Sequence, residues 1–332
     1  MNSILSTWLL RVRPAIALGI ASALAAPVAT ANGFPSRTVT IVVPFPAGAG
    51  PDLVARVLAE KLATRLGQSV IVDNKPGVGG LAGAGFVAKS QADGHTLLLA
   101  PNTLTISPHI LPKGAGGGLD VTRDLVPIIA PVTTPMMLMV SPRLGVKSVE
   151  QLIALAKQKP GLPYASAGNG SPMHFAGELF KRSAGVDMLH VPYKGVTQSV
   201  TAVLGGEVQV LYVALGGVLP HLMARTLVPL AVAEKKRSAL TPEVPSLAER
   251  GVPGVEVNAW YGLFAPVATP PAVVERLNRE FNAILKMPDV QARLEGSGME
   301  LLGGSEQVLA TMMRADDERY SRIAREIGIR AD

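Results

Sequence analysis

The residues of this chain best suited to chemistry gather in two short loops. One runs Ala47-Gly48-Ala49-Gly50-Pro51-Asp52; the other runs Ala167-Gly168-Asn169-Gly170-Ser171, with His174 three residues on. Both are built of glycine and small residues, and both lead into an apolar pattern of helical spacing. A helix that opens there leaves its first N–H groups without partners and points its positive dipole end into the loop. Such a loop suits an anion. The expected chemistry is capture of a negative group by main-chain donors and small hydroxyls. Asp52 either organises the first loop or touches the ligand, although a carboxylate repels an anion. His174 either donates to the ligand or bonds a neighbouring carbonyl.

Other chemistries fit less well. Tyr164-Ala165-Ser166-Ala167-Gly168 echoes a nucleophile elbow without its leading glycine. His174, His190 and His221 are candidate partners for Ser166, and nothing in the spacing brings one to it. Gly77-Val78-Gly79-Gly80-Leu81-Ala82 has the spacing of a dinucleotide fingerprint, but Pro76 precedes it and the expected exported setting speaks against it. No phosphate-binding P-loop pattern occurs. Five scattered histidines, no cysteine and no H-x-x-x-H give no metal site, and no cofactor is expected. No catalytic residue is assigned.

The two loops need rigid elements to hold them. Ile41-Val42-Val43 reads as a buried strand that Pro44 and Pro46 end. Leu53, Val54, Val57, Leu58, Leu62 and Leu66 then mark a helix. Ser69–Val72 and Thr96–Ala100 are further strands, and a small-residue helix over Ala82–Ser90 lies between them. This alternation predicts a parallel sheet, with ligand at its carboxyl ends, where Pro101-Asn102-Thr103-Leu104-Thr105 follows the third strand. Val126–Val132 and Met136–Val140 read as two strands, Gly114–Gly118 as a flexible surface loop, and Val149–Lys159 as a helix opened by Ser148. The opening pattern then returns: strand Pro163–Ser166, loop, helix Pro172–Ala184, with Ser171 as its N-cap. Strands are predicted at Val208–Val213, Val228–Ala233 and Trp260–Ala265. Amphipathic helices follow over Pro270–Leu285, Pro288–Gly296 and Ser305–Ile327. Two anion-ready units far apart in sequence imply two lobes across a cleft: residues 32–130 with 256–332, and residues 131–255.

Residues 1–31 read as a secretory signal, with Arg11 and Arg13, an apolar run from Ala15 to Ala26, and the small-x-small site Ala29-Thr30-Ala31. The apolar run is too short to span a bilayer. The chain carries 31 basic and 25 acidic residues, and removal of the two leader arginines leaves +4. The charges are scattered and aromatics are few, which speaks against nucleic acid.

Four segments in order resemble the Bug family, the extracytoplasmic receptors of tripartite tricarboxylate transporters. They are FPSRTVTIVVPFPAGAGPDLVAR, VIVDNKPGVGGLAGAGFVAKSQADGHTLLLA, YASAGNGSPMHFAGELFKRSAGVDMLHVPYKG and EKKRSALTPEVPSLAERGVPGVEVNAWYGLFAP. The resemblance runs from about Phe34 to the C-terminus. It implies two doubly wound α/β lobes with a central cleft, of the periplasmic-binding-protein type II-like class. It also implies a small organic acid as ligand, membrane permease subunits as partners, a periplasmic monomer and no catalysis. Carried onto this sequence, its ligand residues are Phe45, Pro46, Ala47, Gly48, Ala49 and Asp52 in the first loop, and Asn102 and Thr103 after the third strand. In the second half they are Ser166, Ala167, Gly168, Asn169, Ser171 and His174, then Tyr193, Lys194 and Gly195, and Val213. Lys194 is also readable as a solvated surface charge. Val213-Ala214 stands where relatives often carry Asp-Asn, so an acid without a charged amine is the expected ligand. The rival readings are a periplasmic sensor for the same ligands and an exported hydrolase.

Overall fold

The computed structural model describes residues 33–112 and 114–329. The leader expected over residues 1–31 lies outside the described residues. β1 (Val39–Val43) leads into α1 (Gly50–Leu66), β2 (Val70–Asn74) into α2 (Leu81–Ala88), and β3 (Thr96–Pro101) into α3 (Thr103–Ile110). The short α4 (Val121–Asp124) precedes β4 (Leu125–Val140). Then come α5 (Val149–Gln158), β5 (Leu162–Ser166), α6 (Pro172–Ala184), β6 (Met188–Pro192), α7 (Val196–Gly205) and β7 (Val210–Ala214). α8 (Leu219–Met223), β8 (Val228–Val232), β9 (Asn258–Pro266), α9 (Pro271–Leu285), α10 (Pro288–Glu295), β10 (Glu300–Leu301) and α11 (Glu306–Ile327) complete the order.

β4 joins the two halves. Two strands are predicted here, and the structure has one of 16 residues. Its first part, to Pro135, runs antiparallel to β9, while Met136–Val140 pairs with β7 on one side and β8 on the other. The prolines that point to a break are absorbed instead. Register shifts between Pro127 and Ile129, and between Ile129 and Val132, let the ladder continue past missing N–H groups. Met136, Met137, Leu138 and Met139 are fully buried, as a core strand requires.

The pairing also sets where loops emerge. β2, β1 and β3 are mutually parallel, and so are β6, β5 and β7. β3 ends at Pro101 opposite Tyr261, close along β9 to Asn258, which pairs with Pro135. β7 ends at Ala214 opposite Met136. The carboxyl ends of both parallel sets therefore run toward the same waist of β4. This is the two-lobed α/β arrangement that the alternation of elements implies.

Each lobe has its own core. Ile41, Leu58, Leu97, Leu277 and Phe281 fill the first; Leu138, Tyr164, Phe175, Phe180 and Tyr212 fill the second. α11 departs from the assignment of the whole C-terminal stretch to the first lobe. Leu309 and Met313 pack with Trp260 and Phe264, whereas Tyr320, Ile323 and Ala324 enter the second core. The Tyr320 ring lies edge-on to Phe175 at 4.9 Å between centroids. α3 divides likewise, with Leu104 on one side and Ile106 and Ile110 on the other.

Because α11 ties both cores, Tyr320→Ala is expected to lower one shared unfolding transition by about 3–5 kcal/mol, the usual cost of emptying a large aromatic site. Calorimetric scanning that instead showed two separate transitions, with only one shifted, would contradict this coupling.

Candidate functional site

The first loop is shaped by Asp52. Ala49 is the N-cap residue of α1 in extended conformation, Pro51 occupies the first turn, and Gly48 has φ 82°. Asp52 is 3% exposed. Its Oδ2 accepts from the Gly48 N–H and from Arg56 Nε, both at 2.9 Å, and its Oδ1 accepts from Asn74 Nδ2 at 3.0 Å. The same Asn74 amide donates to the Phe45 carbonyl at 3.1 Å. Burial pushes the Asp52 carboxyl up, but hydrogen bonds from Arg56, Gly48 and Asn74 outweigh it and hold the acid below the usual range. Asp52 is thus spent inside the chain and organises the loop. Pro46, Ala47 and Gly48 stay exposed, and Phe45 and Ala49 are half-buried.

The second loop is held from below by two histidines. Ser171 caps α6: its Oγ accepts from the His174 N–H at 3.3 Å and donates to the Gly168 carbonyl at 2.7 Å. His174 does not donate to a carbonyl. Its Nδ1 accepts from the Gly170 N–H at 3.1 Å. The His174 ring is stacked on His190, with centroids 3.7 Å apart and planes 8° from parallel. His190 Nε2 lies 2.6 Å from Ser166 Oγ, which in turn accepts from the Gly168 N–H at 3.1 Å. Burial pushes both imidazoles down to about 4; Lys181 adds to this at His174, and His174 and Lys181 at His190, where Glu178 opposes.

Glycine serves shape here more than donation. The N–H groups of Gly48, Gly168 and Gly170 already have internal acceptors. Gly170, at φ 70°, lets Ile110 of α3 rest on its backbone, where a Cβ would overlap the Ile110 side chain.

The other expected residues divide. The Tyr193 N–H donates to the Ser166 carbonyl at 3.1 Å, and the Tyr193 carbonyl lies against Gly168, so the loop after β6 adjoins the loop after β5. Gly195 opens α7 at φ 112°, and Lys194 is exposed beside it. Ala167 and Asn169 are half-buried on the second loop. Asn102 is fully buried at the start of α3, its amide directed to Asn258 and Asp316 rather than to an opening; Thr103 follows it with a buried hydroxyl. The Val213 side chain has no exposed surface and packs with Met137 and Ala165, while Ala214 beside it is half-buried. Ser166 is likewise 0% exposed, and among the described residues no carboxylate hydrogen-bonds His190, which leaves the elbow without a triad. No cluster of metal-ligating side chains occurs among the described residues.

Tyr261 was invisible to motif reasoning. A Cβ on Gly50 would sit 2.4 Å from its hydroxyl, so this tyrosine of β9 lies directly against the start of α1. Burial pushes it up to about 12, so it remains a neutral hydroxyl. The glycine loop at Gly77–Gly80 serves close packing: Gly79 lies on Ser107 and Gly80 on Phe45.

The histidine stack gives stability a pH slope. An imidazole held near 4 stays neutral in the fold, while the unfolded chain protonates near the ordinary 6.5. Its contribution is complete above that value and is lost as pH falls toward 4. The double variant His174→Gln with His190→Gln is expected to flatten the fall in unfolding midpoint between pH 6.5 and pH 4. An unchanged slope would contradict the assignment.

The chain is similar to known proteins in sequence and in fold. The family described as tripartite tricarboxylate transporter family receptor matches residues 54–329. Protein BugT of Bordetella pertussis is 34% identical over 326 residues, covering 96% of this chain and 98% of that protein. A structure of R. palustris Rpa4515 with adipate is 35% identical, with a TM-score of 0.82 over 90% of this chain and all of the other. MatC of Rhodopseudomonas palustris, solved with malate, is 30% identical, with a TM-score of 0.77 over 87% of this chain and 99% of its own. The chain belongs to the receptor family of the tripartite tricarboxylate transporters, the family of the Bug proteins.

Proposed function

We propose that this receptor captures a small dicarboxylic acid without a charged amine in the periplasm, and passes it unchanged to membrane permease subunits. One observation carries the reading: both sets of parallel strands end at the same waist of β4, with helix-opening loops at those ends. The hinge is placed where β4 changes partners, between Pro135 and Met136, and where the chain returns into β9 at Asn258. The ligand bridges the loops of the two lobes, so bound and shut states are favoured together. Contacts to it come from the first-turn donors behind Ala47–Ala49 and Ala167–Ser171, with Tyr193 and Gly195 at the rim. Hydrogen bonds to a charged acceptor contribute about 1.5–3 kcal/mol each, so a few suffice for micromolar binding.

Two features support the amine-free preference. The end of β7 reads Val213-Ala214-Leu215, with no carboxylate to pair an ammonium. The related proteins named above were solved with adipate and with malate, which have no amine. The acid-free Ser166–His190 pair, with its serine fully buried, supports release of unchanged ligand. The small-x-small site at Ala29-Thr30-Ala31 supports export. Among the described residues no helix is long and apolar enough to cross a membrane.

Titration calorimetry over a carboxylate panel is expected to show adipate or malate binding tighter than aspartate or glutamate; the reverse order would end the amine-free reading. Asp52→Ala is expected to weaken binding of the preferred acid about tenfold. It should also cost about 1–3 kcal/mol of stability, the cost of donors left unpaired in a buried loop. Wild-type affinity in that variant would remove Asp52 from the positioning of the first loop.

A further inference from the structure

The helix shared by both cores carries a half-buried acid at its middle. Asp316 lies on α11 between Met313, which packs in the first lobe, and Tyr320, which packs in the second. Its Oδ2 accepts from Trp260 Nε1 at 2.8 Å and from Asn102 Nδ2 at 3.2 Å. Asn102 closes the set from its own side. Its N–H donates to the Trp260 carbonyl at 3.0 Å, and its amide donates to the Asn258 carbonyl at 3.0 Å. The Asn102 carbonyl is also where α3 begins, accepting from the N–H groups of Thr105 and Ile106 and from the Thr105 hydroxyl. One carboxylate thus joins α11, the start of α3 and the first residues of β9, next to the place where β4 changes partners.

Burial raises its pKa above the usual carboxylate range even though Asn102, Trp260 and Arg319 favour the charged form. A carboxylate drawn out of water costs the fold free energy that a neutral acceptor of the same shape would not. What the charge secures is orientation. Asn102 must turn its NH₂ group to Asp316, because its carbonyl oxygen would be repelled there.

We propose that Asp316 is the positioning residue that couples ligand capture to lobe closure, by fixing the loop after β3 to a helix that packs in both cores. This rests on the reading of the cleft given above. When the lobes swing, α11 carries the anchor, and the opening turn of α3 moves with it in place of fraying. Loss of the charge weakens the hold on the Asn102 amide and loosens the two from each other.

The test compares Asp316→Asn with wild type in the full chain. The control is Asp317→Asn, which removes the neighbouring bond from α11 to His109 of α3, 2.7 Å long, and leaves Asn102 held. Calorimetry uses adipate and malate as probes, and amide exchange is followed at Thr105 and Ile106. The expected result for Asp316→Asn is affinity at least tenfold weaker and exchange at least tenfold faster, with an unfolding midpoint equal to or above wild type. Asp317→Asn should stay within twofold on both readouts. A merely structural role would lower the midpoint instead. Asp316→Asn binding within twofold of wild type, or exchange at Thr105 and Ile106 unchanged, overturns the proposal. If wild type takes up neither probe, the ligand reading fails, and exchange alone decides on Asp316. Should Asp316→Asn not fold, Asp316→Thr, which keeps an oxygen acceptor without the charge, takes its place.

Discussion

The molecule depends on the hydrogen-bonding of one strand. β4 can serve two sheets only by changing partners at its middle, and that change fixes where everything else points. Because β9 and β7 both run antiparallel to it, the parallel strands beside them must end at its waist. Loops at strand carboxyl ends then face each other without any further device. A fold arranged this way needs no arginine clamp to attract an acid, because helix openings from both sides already supply donors and dipole ends.

Those openings are kept in shape by side chains that bond inward. Asp52 on one side, and the His174–His190–Ser166 stack on the other, consume the N–H groups that would otherwise let the loops collapse on themselves. Both devices are buried, and both use an acceptor held in one charge state: a carboxylate pinned ionised by its donors, and imidazoles pinned neutral by burial. Asp316 likewise turns inward, accepting from Trp260 and Asn102. Buried polar groups of this kind cost stability on their own, and they earn their place through the geometry they fix.

Much of this was legible in the sequence, because it depends on local rules. Alternation of β-branched runs with helical spacing placed the strands and helices, and the returning glycine loop gave two lobes. Ser148 and Ser171 proved to be N-caps, and the last three helices lie within a residue of where their periodicity puts them. The errors come from partners that sequence does not show. Pro131 and Pro135 signal a break, but the strand tolerates the first where the ladder shifts register and the second where β4 changes partners. Val213 matches a ligand position by resemblance alone, because in a strand covered on both faces alternation does not reveal which side chains reach an opening. The glycine donors looked free because their acceptors are side chains whose rotamers only coordinates display. Asn102, Trp260 and Asp316 are 56 to 214 residues apart, beyond any spacing rule.

A crystal structure of the receptor with a tightly bound panel acid tests the central claim most directly. The predicted result is a carboxylate seated between the start of α1 and the loop before α6, its oxygens met by main-chain N–H groups, small hydroxyls and water. An acid gripped mainly by an arginine or a metal ion, or lodged away from the waist of β4, would contradict it.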